Sequence, residues 1–199
     1  MEDSSGSGSY EVPVVVLEGW WKMDYHVGDY LVHEASGVCQ IEDIEDMELM
    51  GKGSRKTYYC MSPVFKAGAK VFTPTIGSTV KLRPVAPKEA FTSIIDNIDD
   101  IQCISEANDR VLQERFKEVM GEFTPEALAS VVKTVLIRKW QRIQSGKKVM
   151  ALDEKTLSIA GRKLYEEMAF SLGKDVDYAQ NLFEDAVKSH ASSTILMGA

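Results

Sequence analysis

Residues 25–45 read YHVGDYLVHEASGVCQIEDIE, and this stretch decides the first half of the fold. It is dense in Tyr, Val and Ile, which favour strands, and the glycines at 28 and 37 suit turns. From residue 38 the side chains alternate as they do along a strand with two different faces. One face would carry Val38, Gln40 and Glu42, and the other Cys39, Ile41 and Asp43. The stretch predicts two short strands joined around Gly37.

The two-residue periodicity typical of β-strands continues beyond this stretch, to about residue 85. Three further segments are rich in residues that favour strands, at 56–65, 69–74 and 78–85. Glycine-containing turns separate them, and Pro74 ends the second of the three. Five short strands with brief turns predict a small SH3-like β-barrel or a strongly bent sheet.

At Pro87 the apolar period changes from two residues to that of a helix. Proline suits the first turn of a helix, and Thr124-Pro125-Glu126 gives a second, stronger start signal. We further predict helices that begin at Ser105, Asp153 and Asp175, and a frayed tail after Ser189. The chain is therefore predicted to be α+β, with a β domain at 23–86 and an all-helical domain at 87–199.

The first 22 residues do not fit either domain. Residues 1–9, MEDSSGSGS, are polar and typical of a flexible lead. Residues 10–22, YEVPVVVLEGWWK, are apolar and are compatible with a strand, a docked peptide or part of an expression tag. Met23 would serve as a natural start, because the patterned domain begins directly after it. The role of residues 1–22 stays open.

Composition excludes several classes of protein. The chain has 199 residues, of which 44% are hydrophobic and 27% charged, so we expect it to fold. No apolar run approaches the roughly 18 residues of a membrane helix, and no basic residue leads a signal peptide, so we expect a cytoplasmic protein without membrane contact. The three cysteines are far apart in sequence, and we expect reduced, buried thiols.

Charge is strongly segregated along the chain. The net charge is −7, yet residues 131–163 contain nine basic and two acidic residues, a balance of +7, which leaves −14 for the rest. The nine are Lys133, Arg138, Lys139, Arg142, Lys147, Lys148, Lys155, Arg162 and Lys163. Such a segment predicts contact with phosphates or with an acidic partner, unless its residues only solvate two amphipathic helices.

Catalytic motifs are lacking, and we predict a protein that is not an enzyme and needs no cofactor or metal. Cys39 and His33 are close in sequence but stand in no known nucleophile signature. The acidic run 41–48 lacks the spacing of a calcium-binding EF-hand loop. The sequence GKGSRKT at 51–57 does not match the phosphate-binding loop and would join two strands rather than lead into a helix.

Several short motifs, in order, carry a likeness to a known family. They are Val27-Gly28-Asp29, Gly37-Val38, Ile41-Glu42 with Ile44-Glu45, Tyr58-Tyr59, Pro74 and Leu82-Arg83-Pro84. With them the β part resembles the polymerase-interacting domain of the CarD/CdnL family of bacterial transcription regulators, a fold also found in the transcription-repair coupling factor. The helical stretch 130–173 resembles divergent members of the same family. The likeness spans roughly residues 23–172.

The resemblance implies a binding function without catalysis. It implies a Tudor-like domain that binds the β subunit of RNA polymerase through an edge strand, here Lys70, Val71, Phe72 and Thr73. It also implies a helical domain that touches promoter DNA, mainly at phosphates, and modulates the stability of the open complex. The basic residues proposed for this contact are Arg138, Lys139, Arg142, Lys147, Lys148, Lys155, Arg162 and Lys163.

One departure from the family leaves alternatives open. Typical members carry a tryptophan near the first helix of the helical domain, but this chain has none between Ile101 and Lys117. Trp140, between Lys139 and Arg142, is predicted to face the core. The direction of regulation and the oligomeric state therefore stay open. The alternative function is a protein–protein adaptor whose basic helices bind an acidic protein partner.

Overall fold

The computed structural model of the chain describes residues 25–49, 51 and 53–196. Residues 1–22, the segment of open role, lie outside them. The described residues form five antiparallel strands followed by five helices, which confirms the predicted α+β class. Of the two forms expected for the β part, the sheet is the open one and does not close into a barrel. In this part of the chain no helix is long and apolar enough to cross a membrane.

The strands form one sheet in the order β4-β3-β2-β1-β5. They are β1 Tyr30–His33, β2 Gly37–Met47, β3 Lys56–Pro63, β4 Val71–Pro74 and β5 Leu82–Pro84. Gly37, whose φ is +75°, opens β2 directly after the turn that follows β1, a conformation that favours glycine. A register shift between Ile41 and Asp43 marks a bulge where β2 pairs with β3, and such a bulge bends the strand.

The helices follow without interruption by strands. They are α1 Lys88–Asp96, α2 Asp109–Gly121, α3 Pro125–Gln144, α4 Ala151–Leu172 and α5 Val176–Leu196. The predicted start of α3 is confirmed, because the hydroxyl of Thr124 accepts a hydrogen bond from the Ala127 N–H at 3.2 Å. The start of α5 is also confirmed, because Asp175 accepts from the Tyr178 N–H at 2.6 Å. Gly173, with φ +63°, ends α4 in the left-handed region.

The predicted start of α2 at Ser105 is wrong. Asn108 caps the helix instead, and its side-chain oxygen accepts from the Val111 N–H at 3.0 Å. The preceding loop is held to α3, since the Ile104 N–H donates to the hydroxyl of Thr134 at 2.9 Å. This tertiary bond keeps residues near 105 outside the helix.

Two further helix limits differ from the prediction. Met150, not Asp153, is the capping residue of α4, and Asp153 lies buried in the first turn of that helix. The last helix does not fray after Ser189 but continues to Leu196. A short polar segment can extend a helix that is already nucleated, because each added residue gains a hydrogen bond at little further cost.

Most of the buried apolar residues in the described part of the chain belong to three clusters. The sheet has its own cluster, which is Leu31, Cys39, Ile41, Tyr59 and Met61. The helices share a larger one, which includes Phe91, Phe116, Leu136, Leu164 and Phe183, and the partly buried Trp140 packs against it as predicted. A third, small cluster joins the two parts through Val32, Val38 and Phe123. The division into two domains near residue 86 stays a prediction.

Candidate functional site

Strand β4 contains most of the residues predicted to bind polymerase. Within the described residues it pairs only with β3, so its other side is an open sheet edge. Phe72 is 45% exposed, whereas Thr73 is 2% exposed and Val71 packs against the sheet cluster. Lys70, just before the strand, forms an ion pair with Glu42 of β2. Of the four predicted residues, Phe72 therefore offers the most accessible apolar side chain.

The backbone of Phe72 faces the open edge. The Thr75 N–H donates to the Thr57 carbonyl at 2.9 Å, which makes these opposite residues a hydrogen-bonded pair. Such pairs alternate along antiparallel strands, so Thr73 also bonds to β3 while Phe72 and Pro74 point away from it. Phe72 then presents both its N–H and its C=O to solvent, and Pro74 presents only a C=O. We call this side of the strand the β4 edge.

Apolar side chains bracket the β4 edge at both ends. Val64 and Phe65 lie in the turn between β3 and β4, and Ile76 lies two residues beyond the strand. All three are exposed, as is Phe72. The strand and the turns at its two ends therefore carry four exposed apolar side chains.

Arg138, one of the residues predicted to contact DNA, is only partly exposed and is paired with two carboxylates. Its guanidinium donates to Asp109 at 2.7 Å and to Asp153 at 3.1 Å, so it joins the starts of α2 and α4. Asp153 is only 1% exposed. Burial acts to lower the pKa of Arg138, but its two carboxylate partners outweigh this and raise it. Arg138 therefore links α3 to both α2 and α4 through ion pairs.

Two lysines of the basic segment are also turned inward. Lys133 is buried, and its ammonium donates to the carbonyls of Ile98 at 2.7 Å and Ile101 at 2.8 Å. Lys163 is half-buried beside the sheet, where burial lowers its pKa and the charge of Glu34 opposes that shift. The Lys133 ammonium is therefore occupied by backbone carbonyls, and Lys163 lies only partly exposed.

The other basic residues stay at least partly exposed around the turn from α3 to α4 and along α4. They are Lys139, Arg142, Lys147, Lys148, Lys155 and Arg162, and we call them the basic surface. Arg142 donates to the Lys148 carbonyl at 2.8 Å, which holds this turn in place. On α4 the exposed apolar residues Leu152 and Ile159 alternate with Lys155 and Arg162 on one helical face.

A buried ion pair that the sequence analysis missed joins the sheet to α4. Arg83 of β5 donates to both carboxylate oxygens of Glu167, each at 2.6 Å, and the Ala86 N–H donates to the same carboxylate at 3.0 Å. Arg83 also donates to the carbonyl of Phe123 at 2.6 Å, and its guanidinium lies 4.9 Å from the centre of that ring. We call these residues the joint.

Phe123 adopts a rare backbone conformation at the joint. Its φ is +63°, in the left-handed region that bulky residues avoid. Its side chain belongs to the small cluster with Val32 and Val38, and Arg83 binds its carbonyl. These contacts offset the backbone strain. The only sequence signal for the joint is Leu82-Arg83-Pro84, which indicates a family likeness and not an ion pair.

Metal-binding clusters and free thiols are the remaining features of chemical interest in the described residues. Within this part of the chain, no group of three or more His, Cys, Asp and Glu side chains is placed to hold a metal ion. Cys39 and Cys60 are buried free thiols and Cys103 is an exposed one. Burial raises the pKa of Cys39 to about 11, which keeps it protonated and a poor nucleophile at neutral pH.

Residues 25–86 match the family model of the CarD-like/TRCF RID domain, a match consistent with a CarD-like RNA polymerase-interacting domain. The resemblance expected for the β part is thereby confirmed. The match contains the whole sheet and Arg83 and ends before α1. The likeness expected for the helical part stays a prediction. A search of curated proteins found no match to the chain.

Proposed function

We propose that the chain is a transcription regulator that docks on the β subunit of RNA polymerase through the β4 edge and contacts promoter DNA through the basic surface. The observation that carries the first half is the free backbone of Phe72 beside its exposed ring. An added strand from a partner completes such an edge with main-chain hydrogen bonds, and the aromatic ring supplies an anchor.

The second half of the proposal rests on the distribution of charge. The basic surface collects six cations on a chain whose net charge is −7. Lysine and arginine neutralise phosphates and carry little base information, which suits a protein that acts at many promoters. Such a protein acts by binding, not by catalysis. It favours open-complex formation if it binds that state more tightly than the closed one.

The joint supports a link between the two halves. Arg83 and Glu167 hold α4 against the sheet. The exposed residues Lys155 and Arg162 lie on the same helix. A polymerase-bound β4 edge would then present the basic surface at a fixed position. Docking first also raises the local concentration of DNA around an acidic chain that would otherwise bind it weakly.

Binding of purified polymerase β subunit to Phe72→Asp tests the docking role. The single change is preferable to a double change with Lys70→Glu, because that reversal would set two negative charges together at Glu42. The matched control is Val111→Asp, at an exposed apolar residue on α2. We expect at least about a tenfold loss of affinity for Phe72→Asp only, in the range of an interface hot spot. Equal affinity of both folded variants would rule the β4 edge out.

A specific observation favours the adaptor as a second candidate. Leu152 and Ile159 are exposed between Lys155 and Arg162, and phosphates make no use of apolar neighbours. An acidic helix with an apolar seam would use both kinds of residue. Replacing Leu152 and Ile159 by serine separates the candidates. DNA binding should survive this change, whereas binding of an acidic helical partner should fall.

A further inference from the structure

A groove lies between α1, the loop at 97–108 and the facing sides of α2 and α3. Its volume is about 820 Å³, enough for several side chains of a partner. Ile94, Val119 and Ala127, which belong to the core cluster of the helices, give the groove an apolar floor. The loop contributes the exposed thiol of Cys103.

The sides of the groove are acidic. Four exposed carboxylates line it, those of Asp100, Glu106, Glu122 and Glu126. None of these four takes part in an ion pair with another described residue. Arg115 also lines the groove, but it is paired with Glu118 at 3.0 Å. We call this feature the acidic groove. It favours a cationic occupant that also has apolar side chains to place on the floor.

The same chain carries a surface of the matching chemistry. Four exposed residues lie on one side of α4, namely Leu152, Lys155, Ile159 and Arg162. We call them the α4 face. Because they are exposed, they do not fill the groove of their own chain. A second copy can bring them there, since an amphipathic helix that lays one face into a groove is a recurrent mode of recognition.

The distribution of charge agrees with this pairing. Residues 89–126, which supply most of the groove, contain ten acidic and three basic residues, a balance of −7. Residues 131–163, which include the α4 face, have a balance of +7. Whole chains repel each other because each carries −7, but these two segments attract. The attraction therefore selects the orientation in which the groove of one copy meets α4 of the next.

We propose that the chain binds a second copy of itself, with the α4 face of one copy seated in the acidic groove of the other. The two surfaces differ, so the contact leaves one groove and one α4 face free and can continue head to tail. The α4 face contains Lys155 and Arg162, which also belong to the basic surface, so DNA and a second copy would compete. That consequence rests on the proposed function, whereas the contact between copies does not.

Thiol labelling of the full chain reports on the groove directly. Cys103 is exposed and lines the groove, whereas Cys39 and Cys60 are buried. A maleimide should therefore react with Cys103 in the dilute protein. As protein concentration rises, labelling should slow in proportion to the fraction of free grooves, about tenfold when one groove in ten is free. Salt should restore fast labelling, because the Debye length falls from about 10 Å at 0.1 M to about 3 Å at 1 M.

An exchange of charge between two variants tests which surfaces meet. The groove variant is Glu106→Lys with Glu122→Lys, and the helix variant is Lys155→Glu with Arg162→Glu. Each variant alone places like charges together and should bind itself at least about tenfold more weakly than the natural chain. An equal mixture of the two should regain the association, because each basic surface then meets an acidic one. Sedimentation velocity measures the association.

The matched control for the groove variant is Glu48→Lys with Asp185→Lys. It changes the net charge by the same amount at exposed residues outside the groove. This control should associate no more weakly than the natural chain. A control that loses association as the groove variant does would overturn the proposal, because net charge and not the groove would then decide the association.

Three further results would overturn the contact between copies. They are a natural chain that stays monomeric at low salt, a mixture no stronger than its two components, and an association that leaves Cys103 labelling unchanged. In the last case the copies would meet elsewhere, for example at the β4 edge. A short DNA duplex tests the consequence and should separate the copies. If the copies associate as expected but the duplex neither binds nor separates them, the contact stands and the DNA half of the proposed function fails.

Discussion

Arg83 and Glu167 form a buried, bidentate ion pair across the boundary between the sheet and α4. Both hydrogen bonds measure 2.6 Å, and both side chains are almost fully removed from solvent. A charge in such a place must be paired, because an isolated buried ion is far less stable than the same ion in water. The pair therefore makes the relative position of the two parts of the chain sensitive to either residue.

We expect Arg83→Leu and Glu167→Leu, each alone, to lower the free energy of unfolding by about 3–5 kcal/mol, because each leaves a buried charge unpaired. The double variant should lose much less than the sum of the two, since two leucines leave no charge behind. Urea unfolding of the natural chain, the two single variants and the double variant measures this double-mutant cycle. Additive losses would mean that Arg83 and Glu167 act independently of each other.

His33 is expected to make the stability of the folded chain depend on pH. It is 5% exposed, and its Nδ1 accepts hydrogen bonds from the N–H groups of Ala35 at 3.2 Å and Ser36 at 3.1 Å. Burial lowers the pKa of His33, the charge of Glu34 opposes this, and that of Lys163 adds to it. The folded state therefore prefers the neutral ring. Its contribution to stability is complete above the ordinary value of 6.5 and is lost as pH falls through the lower folded pKa.

The measurement compares unfolding free energies at about pH 7.5 and pH 5, either side of the ordinary histidine pKa. The natural chain should lose stability on acidification, and His33→Asn should lose less, because asparagine keeps an acceptor and does not titrate. His26→Asn is the matched control, since His26 is exposed. A His33→Asn variant with the same pH dependence as the natural chain would contradict the assignment.

The sequence was sufficient to predict the fold class and the order of the strands and helices. Alternation in 25–45 and the change of period at Pro87 are local signals, and local signals also located the start of α3 at Thr124. Ser105 failed as a helix start because a tertiary hydrogen bond from the neighbouring Ile104 decides where that loop lies. Propensity carries no information about such a bond.

The candidate site was less predictable, for a physical reason. Helical periodicity tells which residues share a face, but not which face a neighbouring element covers. Lys163 and Glu167, one turn apart on α4, face the sheet, and Arg138 lies between two carboxylates. The sequence had placed Arg138 and Lys163 among the residues proposed to contact DNA, and it gave no reason to single out Glu167. The exposure of Phe72 agrees with the edge-strand hypothesis, whose contact with polymerase stays a prediction.

Arg138 should behave as a structural residue. We expect Arg138→Ala to lower the free energy of unfolding by about 3 kcal/mol, because it leaves Asp153 buried without its ion pair. Lys155→Ala, an exposed residue of the same basic segment, should change stability by less than about 0.5 kcal/mol. Thermal and urea unfolding measure the stability of both variants against that of the natural chain. Equal stability of the two variants would return Arg138 to the candidates for phosphate contact.

Lys147 and Lys148 are the sharpest test of DNA contact. Both are exposed in the turn between α3 and α4, where the bond from Arg142 to the Lys148 carbonyl fixes the backbone. Replacing both by alanine leaves up to two phosphates without a cation. The slope of log affinity against log salt should flatten by about 0.9 for each phosphate that is no longer neutralised. Because phosphates carry no base information, the loss of affinity should be the same on promoters of different sequence.

The assay uses the polymerase–promoter complex, since docking supplies the local concentration that an acidic chain needs to reach DNA. Lys88→Ala with Lys117→Ala is the matched control, because it removes the same charge from exposed lysines outside the basic surface. The control should leave the salt slope unchanged, although it alters the net charge equally. If both double variants give the natural slope, the basic surface does not contact DNA. An acidic protein partner then becomes the better explanation of why six cations gather around α4 on an acidic chain.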